Sequence, residues 1–375
     1  MARTALKRLE KGLPASWYRD PAHYQRELAA FWYGRWIAVA REEEIPAPGD
    51  WRVVRVGSQQ IVLLKNGKGG LAAFHNTCRH RGSILCTKDS GRFERNRIVC
   101  PYHSWTYDLA GKLVATPRKM ETPDFDRNDY PLFEVATATW GGFVFICLDN
   151  KKTRDFGELP KQFKNYGFEN LRIGKRIVAD VKANWKLLAE NFSECFHCPP
   201  VHPELCRVVT AYREAGAWGL RSSEPAEYKV GAKTLTLDGT ARLPAFKGLN
   251  DEERKALYVP AMLPPNLFLN VQPDYVNSQL MFPTGPESVR IVYDWLFEPD
   301  NMPEGAVLEH YTALWEVTNA QDARNCEWQQ QGIHALPFKH GHYVPQEFDC
   351  HRFAEWVRAG LVPGTGERRR RRAVK

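Results

Sequence analysis

The 375-residue sequence has no apolar run long enough to cross a membrane. Its longest apolar run, GGFVFICL at 141–148, falls well short of the roughly eighteen residues of a membrane helix and suits a buried strand. The opening residues, MARTALKRLEKGLP, are charged and lack the apolar core and cleavage site of a secretory signal. These absences predict a cytoplasmic protein that is not associated with a membrane.

Cysteine is uncommon, with nine residues in the chain, an odd number. In a chain without an export signal, this favours reduced thiols or metal ligands over a framework of disulfides. The sequence also lacks a G-x-G-x-x-G pattern, because neither 67–70 nor 364–366 matches it. We therefore do not expect this chain to bind NAD(P)H itself.

The net charge is +8, but most of the excess lies at the C-terminus. Arginines 368–372 and Lys375 stand there against the single acid Glu367. This tail follows PGTG at 363–366 and is predicted to be a disordered extension. No recognised nucleic-acid module accompanies it, so we interpret it as a solvated tail and expect no nucleic-acid partner.

The distribution of apolar residues predicts an α+β protein with two domains. Residues 1–45 carry aromatic side chains at helical spacing, which predicts an N-terminal helical segment that packs with the second domain. Residues 46–150 form short alternating runs between glycine-rich turns and predict a small antiparallel β domain. Residues 151–362 predict a second antiparallel sheet flanked by helices, and 363–375 form the tail.

Individual elements are predicted from the same patterns. Strands are predicted at 51–56, 60–64, 71–74, 97–99, 105–107 and 142–148 in the small domain, and at 176–181, 234–237, 267–271, 278–282 and 289–297 in the second. Helices are predicted from about 15 to 34 and at 184–196, 303–332 and 350–360.

Two short stretches of the small domain each offer one thiol and one imidazole. Cys78 and His80 form a C-x-H pattern, and Cys100 and His103 form a C-x-x-H pattern. Such a set suits a [2Fe–2S] cluster in which two cysteines hold one iron and two histidines the other. The alternative is a structural zinc site, although zinc fingers usually pair cysteine with cysteine and histidine with histidine. The mixed loops therefore favour the cluster.

A second group of metal-type residues lies at 184–202, NWKLLAENFSECFHCPPVH. Its apolar spacing predicts a helix that places Glu194 and His197 on one face and ends at the prolines 199–200. His202 would then fold back towards His197. Two histidines plus one carboxylate would make the facial triad that binds non-haem Fe(II). The alternative is that these are surface or capping histidines.

Together these motifs resemble one known family. CRHRG at 78–82 and CPYHSW at 100–105 resemble Rieske cluster loops, and NWKLLAENFSECFHCPPVHPEL at 184–205 resembles the iron-site segment of the Rieske non-haem iron oxygenase α subunits, the ring-hydroxylating oxygenase family. HRFAEW at 351–356 resembles the closing helix of that family, so the resemblance covers nearly the whole chain. It implies a Rieske domain followed by a catalytic domain of the helix-grip type.

The resemblance also implies roles for the candidate residues. Cys78 and Cys100 would bind one cluster iron, and His80 and His103 the other, while Trp105 would screen the cluster from water. His197 and His202 would bind the mononuclear Fe(II). For its third ligand the residues alone leave Glu316, Asp322 and Glu327 open; the family carboxylate lies five residues before a glutamate, which selects Asp322.

Glu194 resembles the family's bridging acid, which connects a cluster histidine of one subunit to an iron histidine of its neighbour. Here it would join His197 to His103 of an adjacent copy, and the resemblance implies a ring of three identical chains. By resemblance, the chain is the terminal oxygenase of a multicomponent system, with O₂ as co-substrate. NAD(P)H would act through a separate flavin and iron–sulfur reductase, with a ferredoxin in some systems.

The substrate is the least determined feature. Most arene dioxygenases of the family have Asp at the bridging position, whereas Glu194 resembles a branch with betaine and carnitine oxygenases. We therefore favour monooxygenation, with N-demethylation of a betaine-like quaternary amine, over cis-dihydroxylation of an arene. A Rieske electron carrier and a zinc scaffold are the alternatives outside the class.

Several other residues carry weaker signals. Aromatic side chains that would cage an ammonium group, stack on an arene or simply pack in the core are Tyr258, Phe268, Tyr275, Phe282, Tyr293 and Trp295. His340 and His342 are interpreted as residues of a loop at the surface or pocket rim. Cys195 and Cys198 are interpreted as packing residues.

Overall fold

The computed structural model describes residues 5–117, 122–149, 156–157, 159–214 and 227–361. These residues divide into two compact units. The small unit consists of residues 31–162, and the large unit joins the segment up to residue 30 to the chain from 163 onwards. The basic tail at 363–375, predicted to be disordered, lies outside the described residues.

Seventeen strands are present in the described chain. In chain order they are β1 Glu10–Pro14, β2 Ile37–Arg41, β3 Asp50–Val56, β4 Gln59–Lys65, β5 Leu71–His75, β6 Ser90–Arg92, β7 Arg97–Val99, β8 Thr106–Asp108, β9 Leu113–Ala115, β10 Glu134–Trp140, β11 Phe143–Cys147, β12 Arg172–Val181, β13 Val259–Leu263, β14 Leu267–Val271, β15 Val276–Gly285, β16 Ser288–Phe297 and β17 His340–Tyr343.

Eight α-helices accompany them. They are α1 Pro21–Glu27, α2 Leu159–Gln162, α3 Trp185–Phe192, α4 Cys198–Val201, α5 Pro203–Val208, α6 Asp251–Lys255, α7 Gly305–Ile333 and α8 Phe348–Leu361. Within the part of the chain that the structure describes, no helix combines the length and apolarity that crossing a bilayer requires.

The small unit is built from a seven-stranded sheet in the order β2-β11-β10-β5-β4-β3-β6 and a three-stranded sheet β7-β8-β9. Its apolar core includes Trp51, Phe74 and Tyr107 and extends to the two cysteines Cys78 and Cys100. The hairpin β7–β8 pairs Val99 with Thr106, so residues 100–105 form its connecting loop. The sheets thereby hold the two cysteine-containing loops over one core.

The large unit contains a five-stranded antiparallel sheet in the order β12-β16-β15-β14-β13. Helix α7 packs against this sheet through a buried stripe at helical spacing, which includes Tyr311, Trp315, Thr318 and Cys326. Asp322 occupies the next position of that stripe, between Thr318 and Cys326. A carboxylate is thus carried on the side of α7 that faces the protein interior.

The predicted α+β class is confirmed, because antiparallel sheets and separate helices make up both units. The predicted helices at 303–332 and 350–360 correspond to α7 and α8. The structure adds strands that the pattern did not predict, notably β10 and β13.

The N-terminal segment differs from the prediction of one helical piece at 1–45 that packs with the second domain. Its described part contains β1, the short helix α1, a π-helix at Leu28–Tyr33 and then the strand β2. Strand β2 pairs with β11 and belongs to the small unit. All five residues of β2 are buried, and its pairing partner β11 lies about a hundred residues further along the chain. The helical spacing of the aromatic residues in the N-terminal segment gives no indication that β2 pairs with β11.

Two further element predictions are wrong. Residues 234–237 are not a strand, because Thr236 accepts a backbone hydrogen bond from Gly239 and its hydroxyl donates to the Thr240 carbonyl, so the chain turns locally. His340 and His342 lie in β17, not in a loop, since β17 pairs with β1 at the other end of the chain.

Candidate active site

Helix α3 begins at Asn184, whose side chain accepts a hydrogen bond from the Lys186 backbone N–H at 3.0 Å. The helix was predicted to continue to 196, but it ends at Phe192. The hydroxyl of Ser193 donates to the Ala189 carbonyl at 2.6 Å and so competes with the helical ladder. Glu194 and His197 therefore lie in the turn after the helix, not on its face.

The prolines after this turn begin helices instead of ending one. Pro199 and Pro200 lie in the first turn of α4, and Pro203 is the first residue of α5. Proline is tolerated there because the first helical N–H groups have no intrahelical partner. His202 is the residue between these two short helices, and its backbone N–H donates to the Cys198 carbonyl. This chain reversal returns His202 towards His197.

Three side chains converge at this point. The Nε2 atoms of His197 and His202 are 3.1 Å apart, and Asp322 Oδ1 lies 2.9 Å and 3.5 Å from His202 and His197 Nε2. Ligands at right angles on an ion with bonds of about 2.1 Å are separated by about 3 Å. The donor set and its spacing therefore fit a two-histidine, one-carboxylate triad. Among the described residues, no other group of His, Cys, Asp and Glu brings three ligand atoms so close together.

Hydrogen bonds on the far side of both rings fix the imidazoles for metal binding. The Nδ1 of His197 is 2.5 Å from Glu194 Oε1, and the Nδ1 of His202 is 2.7 Å from Gln321 Oε1. Each acceptor requires a proton on Nδ1, which leaves the Nε2 lone pair directed at the triad. The amide of Gln321 donates in turn to Glu204, which sets its orientation.

The electrostatics of the triad favour a bound cation. Burial by itself raises the pKa of Asp322, but hydrogen bonds with His197 and His202 lower it to about 2. Burial likewise lowers the pKa of His197, yet Asp322 and Glu194 raise it to about 10. Without a metal, His197 thus keeps its proton between the carboxylates of Asp322 and Glu194. A metal ion would take the place of that proton.

The other two carboxylates considered as third ligand are engaged elsewhere. Glu316 forms an ion pair with Lys175 at 2.5 Å, and Glu327 accepts from the Lys182 backbone at 2.9 Å. Of the three candidates, only Asp322 lies beside the histidines, which agrees with the choice made from the family spacing.

In the small unit, the two predicted cluster loops have the same backbone hydrogen bonds. The Cys78 carbonyl accepts from Gly82, and the Cys100 carbonyl accepts from Ser104, both at 3.0 Å. Gly82 and Ser104 share a positive φ, +75° and +58°. Two similar loops thus approach the core side by side, and each presents one cysteine and one histidine.

The side chains of these loops fit a two-iron cluster. Burial and the nearby Cys100 thiol raise the pKa of Cys78, and the rings of His80 and His103 have centroids 4.7 Å apart. The buried Nδ1 of His80 has no hydrogen-bond partner in the described chain, as expected for a metal ligand. The four donors do not converge on a single point as a zinc ion would require. Their arrangement therefore favours a cluster with one ligand pair per iron.

Two aromatic residues support this site. Trp105 stacks on His80 with ring centroids 5.0 Å apart and is almost fully buried. The hydroxyl of Tyr107 accepts from the Arg79 backbone N–H, and its proton therefore points to Cys78 Sγ at 3.3 Å. Tyr107 was not identified as a site residue from the sequence, because its contact depends on the pairing of β8.

We expect the Tyr107→Phe substitution to lower the reduction potential of the cluster. A hydrogen bond to sulfur stabilises the more negative reduced state, and a net value of about 1 kcal/mol corresponds to about 40 mV for one electron. A redox titration followed by EPR measures the shift. Tyr102→Phe is the control, because the Tyr102 side chain is largely exposed. An unchanged potential in Tyr107→Phe would show that this contact does not act on the cluster.

The aromatic candidates separate into two groups. Tyr258 packs against Trp315 of α7, and Phe268 packs on Phe192 of α3. Tyr293 pairs with Gln279, whose amide donates to Asn319 of α7. Trp295 is buried on the same sheet face as Tyr293.

The remaining candidates point elsewhere. Phe282 lies on the opposite sheet face, and Tyr275 donates to the Leu235 carbonyl. Asn191, which reaches His197 Nε2 at 3.4 Å, is a site residue that the sequence did not indicate.

Comparisons with known proteins agree with this geometry. The family model for the ring hydroxylating alpha subunit (catalytic domain) matches residues 168–361, and that for the Rieske [2Fe-2S] domain matches residues 35–126. The chain is 30% identical to the glycine betaine monooxygenase oxygenase subunit of Chromohalobacter salexigens, over 92% of this chain and 85% of the relative. It is 25% identical to the chloroplastic choline monooxygenase of Spinacia oleracea, over 93% and 78%.

Solved structures show the same fold. The quaternary ammonium Rieske monooxygenase CntA in complex with gamma-butyrobetaine is similar with a TM-score of 0.73 and 23% identity, over 94% of this chain and 96% of that one. Naphthalene 1,2-dioxygenase from Rhodococcus is similar with a TM-score of 0.69 and 18% identity, over 94% and 95%.

The fold, the paired Cys/His loops and the His/His/Asp group define a Rieske-type non-haem iron oxygenase, and the chain belongs to the ring-hydroxylating α-subunit family. Within that class it is the terminal oxygenase, an oxidoreductase with O₂ as co-substrate. Its cofactors are a Rieske [2Fe–2S] cluster and a mononuclear iron.

Proposed function

We propose that this terminal oxygenase hydroxylates an N-methyl group of a small betaine-like quaternary amine. The observation that carries the proposal is the aromatic group beside the proposed iron ligands. Tyr258 has its ring 6.3 Å from that of Tyr212 and 5.8 Å from that of Trp315, which lies two turns before Asp322 in the buried stripe of α7. Aromatic faces attract a quaternary ammonium ion by cation–π contact.

We further propose Cys78, Cys100, His80 and His103 as the cluster ligands and His197, His202 and Asp322 as the iron ligands. When bound, the iron supplies the open positions at which O₂ is reductively activated. Glu194 and Gln321 keep both ligand rings in the Nε2-binding tautomer. Tyr258 and its neighbours would hold the ammonium group so that one methyl group faces the triad. The hydroxymethyl product loses formaldehyde and a proton and leaves a tertiary amine.

The relatives support this choice of substrate. The two proteins similar in sequence are named for glycine betaine and choline, and a structure of the same fold contains gamma-butyrobetaine. An arene dioxygenase also shares the fold. The glutamate at position 194 and the aromatic group favour the amine.

The substrate assay uses purified protein with a reductase, NADH and a panel of quaternary amines and arenes. We expect formaldehyde and the matching tertiary amine with at least one betaine-like compound, in proportion to NADH consumed. Arenes should give no diol. Diol formation from an arene, with no formaldehyde from any amine, would contradict the proposed substrate class.

We also propose that the chain works as a homotrimer in which Glu194 connects His197 to His103 of a neighbouring copy, with electrons from a flavin and iron–sulfur reductase. Glu194 Oε1 accepts from His197 Nδ1, its Oε2 accepts from the backbone N–H groups of Phe196 and His197, and the side chain remains 12% exposed. His103 is only partly buried. Both side chains are thus accessible from outside the chain, which supports this arrangement.

Complementation tests the connection between subunits. Cys78→Ser lacks a cluster ligand and Asp322→Ala lacks an iron ligand, so each variant alone should be inactive. Co-expressed and purified as mixed assemblies through two affinity tags, they should regain a substantial fraction of activity, because some cluster–iron pairs are then complete. Adding Glu194→Gln to the Cys78→Ser chain, which carries the intact iron ligands, should remove that gain. Mixed assemblies without activity would contradict the cross-subunit route.

A further inference from the structure

Two cysteines flank the proposed iron ligand His197 in the sequence Cys195-Phe196-His197-Cys198. The Cys198 backbone N–H donates to the Cys195 carbonyl at 3.2 Å, so residues 195–198 form a tight turn. The ends of such a turn lie within about 7 Å, and Cα atoms in a disulfide lie about 4.4–6.8 Å apart. The backbone therefore already has a shape that a disulfide between these residues can use.

The side chains of this turn also lie close together. The neighbouring Cys195 thiol and burial raise the pKa of the Cys198 thiol. Burial, followed by the Cys195 and Cys198 thiols, raises the pKa of Tyr258, whose ring lies 6.3 Å from that of Tyr212. Both thiols therefore lie near the aromatic group beside the triad. Cys195 is partly exposed and Cys198 is buried, so the two thiols differ in access.

We propose that Cys195 and Cys198 are a redox-active dithiol that closes to a disulfide around His197 and thereby weakens iron binding. The proposal rests on the proposed role of His197 as an iron ligand. The oxidant is hydrogen peroxide, which forms when an oxygenase reduces O₂ by two electrons without oxidising its substrate. Since the thiols lie near the aromatic group, peroxide released at the active site forms close to them.

The reaction balances in two steps. The sulfur of Cys195 attacks one peroxide oxygen, the O–O bond breaks, and the thiol proton leaves with the departing hydroxide as water, giving a sulfenic acid. The sulfur of Cys198 then attacks the sulfenic sulfur, the S–S bond forms, the S–O bond breaks, and a second water leaves. Two thiols lose two electrons and two protons, and one peroxide becomes two waters.

Closure changes the position of His197. The sulfur atoms approach to about 2.05 Å, and the turn that carries the His197 ring tightens around the new bond. The Nδ1 contact with Glu194 orients the imidazole, and disturbing such a contact typically lowers metal affinity about 10–100-fold. We therefore expect oxidation to release iron and reduction by a dithiol to restore its binding.

Peptide mapping tests the proposal directly. Trypsin cleaves after Lys186 and Arg207, so one peptide, 187–207, contains Cys195, Cys198 and Cys206. The iron-loaded protein is treated with peroxide, alkylated and digested. We expect this peptide to carry one alkyl group instead of three and to be lighter by the two lost hydrogens. The Cys206→Ser variant should still form the bridge and carry no alkyl group, whereas Cys198→Ser should form none between these positions.

Iron content, measured after gel filtration with a chelator, is the second reading. The expected result is loss of about one iron per chain in parallel with the disulfide, reversed by dithiothreitol and added Fe(II). If neither the wild type nor Cys206→Ser forms the bridge, the proposal of a redox-active dithiol is overturned. A bridge that forms without loss of iron would overturn its effect on His197. Neither reading requires turnover, so failure of the proposed substrate class remains distinguishable in the formaldehyde assay.

Discussion

Replacing Asp322 with alanine is expected to abolish oxygenase activity while the Rieske cluster remains intact. Among the described residues, His197, His202 and Asp322 form the proposed iron-binding group, and Asp322 contributes its only carboxylate. Its loss removes a ligand itself, so the effect should exceed the roughly 10–100-fold loss that follows from changing a ligand's hydrogen-bond partner. Product formation should fall below detection.

The measurement combines iron analysis with the visible spectrum of the cluster. Asp322→Ala should keep the cluster absorbance and lose the additional iron. Glu316→Ala is the matched control, because it removes a carboxylate from the same helix that pairs with Lys175. That variant should retain both iron pools. Full iron content and activity in Asp322→Ala would contradict the assignment of the triad.

Replacing Glu27 with glutamine should destabilise the large unit by about 3–5 kcal/mol, because a buried ammonium ion then lacks its counter-charge. Lys186 Nζ lies 2.6 Å from Glu27 Oε1, and both side chains are fully buried. Burial alone raises the pKa of Glu27, but the charge of Lys186 and hydrogen bonds from two neighbours lower that pKa overall. The pair joins α1 to α3, the helix that leads into the iron site.

Urea denaturation followed by tryptophan fluorescence measures this effect. The double variant Glu27→Leu/Lys186→Met should recover most of the loss, since replacing both charges by apolar groups leaves no unpaired ion. Lys255→Ala removes one partner of an exposed pair with Glu252 and should unfold at the wild-type midpoint. If Glu27→Gln also unfolds at that midpoint, the pair does not stabilise the unit as argued.

The cluster loops and α7 illustrate what the sequence can predict. The Cys78 and Cys100 motifs are local, and each pairs one cysteine with one histidine. The matching backbone hydrogen bonds show that the two loops have similar shapes. The long helix α7 is also predicted, because helical period is local. The residues alone leave Glu316, Asp322 and Glu327 open as the third ligand, and the family spacing selects Asp322.

Other features depend on contacts that no local pattern encodes. The apolar period of α3 extends to Cys195, so it hides the helix end that the Ser193 hydroxyl helps to set. Strands β2 and β17 pair with partners far away in sequence. Gln321 next to Asp322 became identifiable as the partner of His202 only when both elements were in place. A single sequence gives little indication of such contacts between distant residues.

The central claim is that one chain holds a Rieske cluster and a separate mononuclear iron. The most direct test is EPR of the anaerobically purified, dithionite-reduced protein, together with iron and zinc analysis. We predict a rhombic signal of the reduced Rieske type and about three irons per chain, two in the cluster and one in the triad. A silent spectrum with zinc in place of iron would contradict the account.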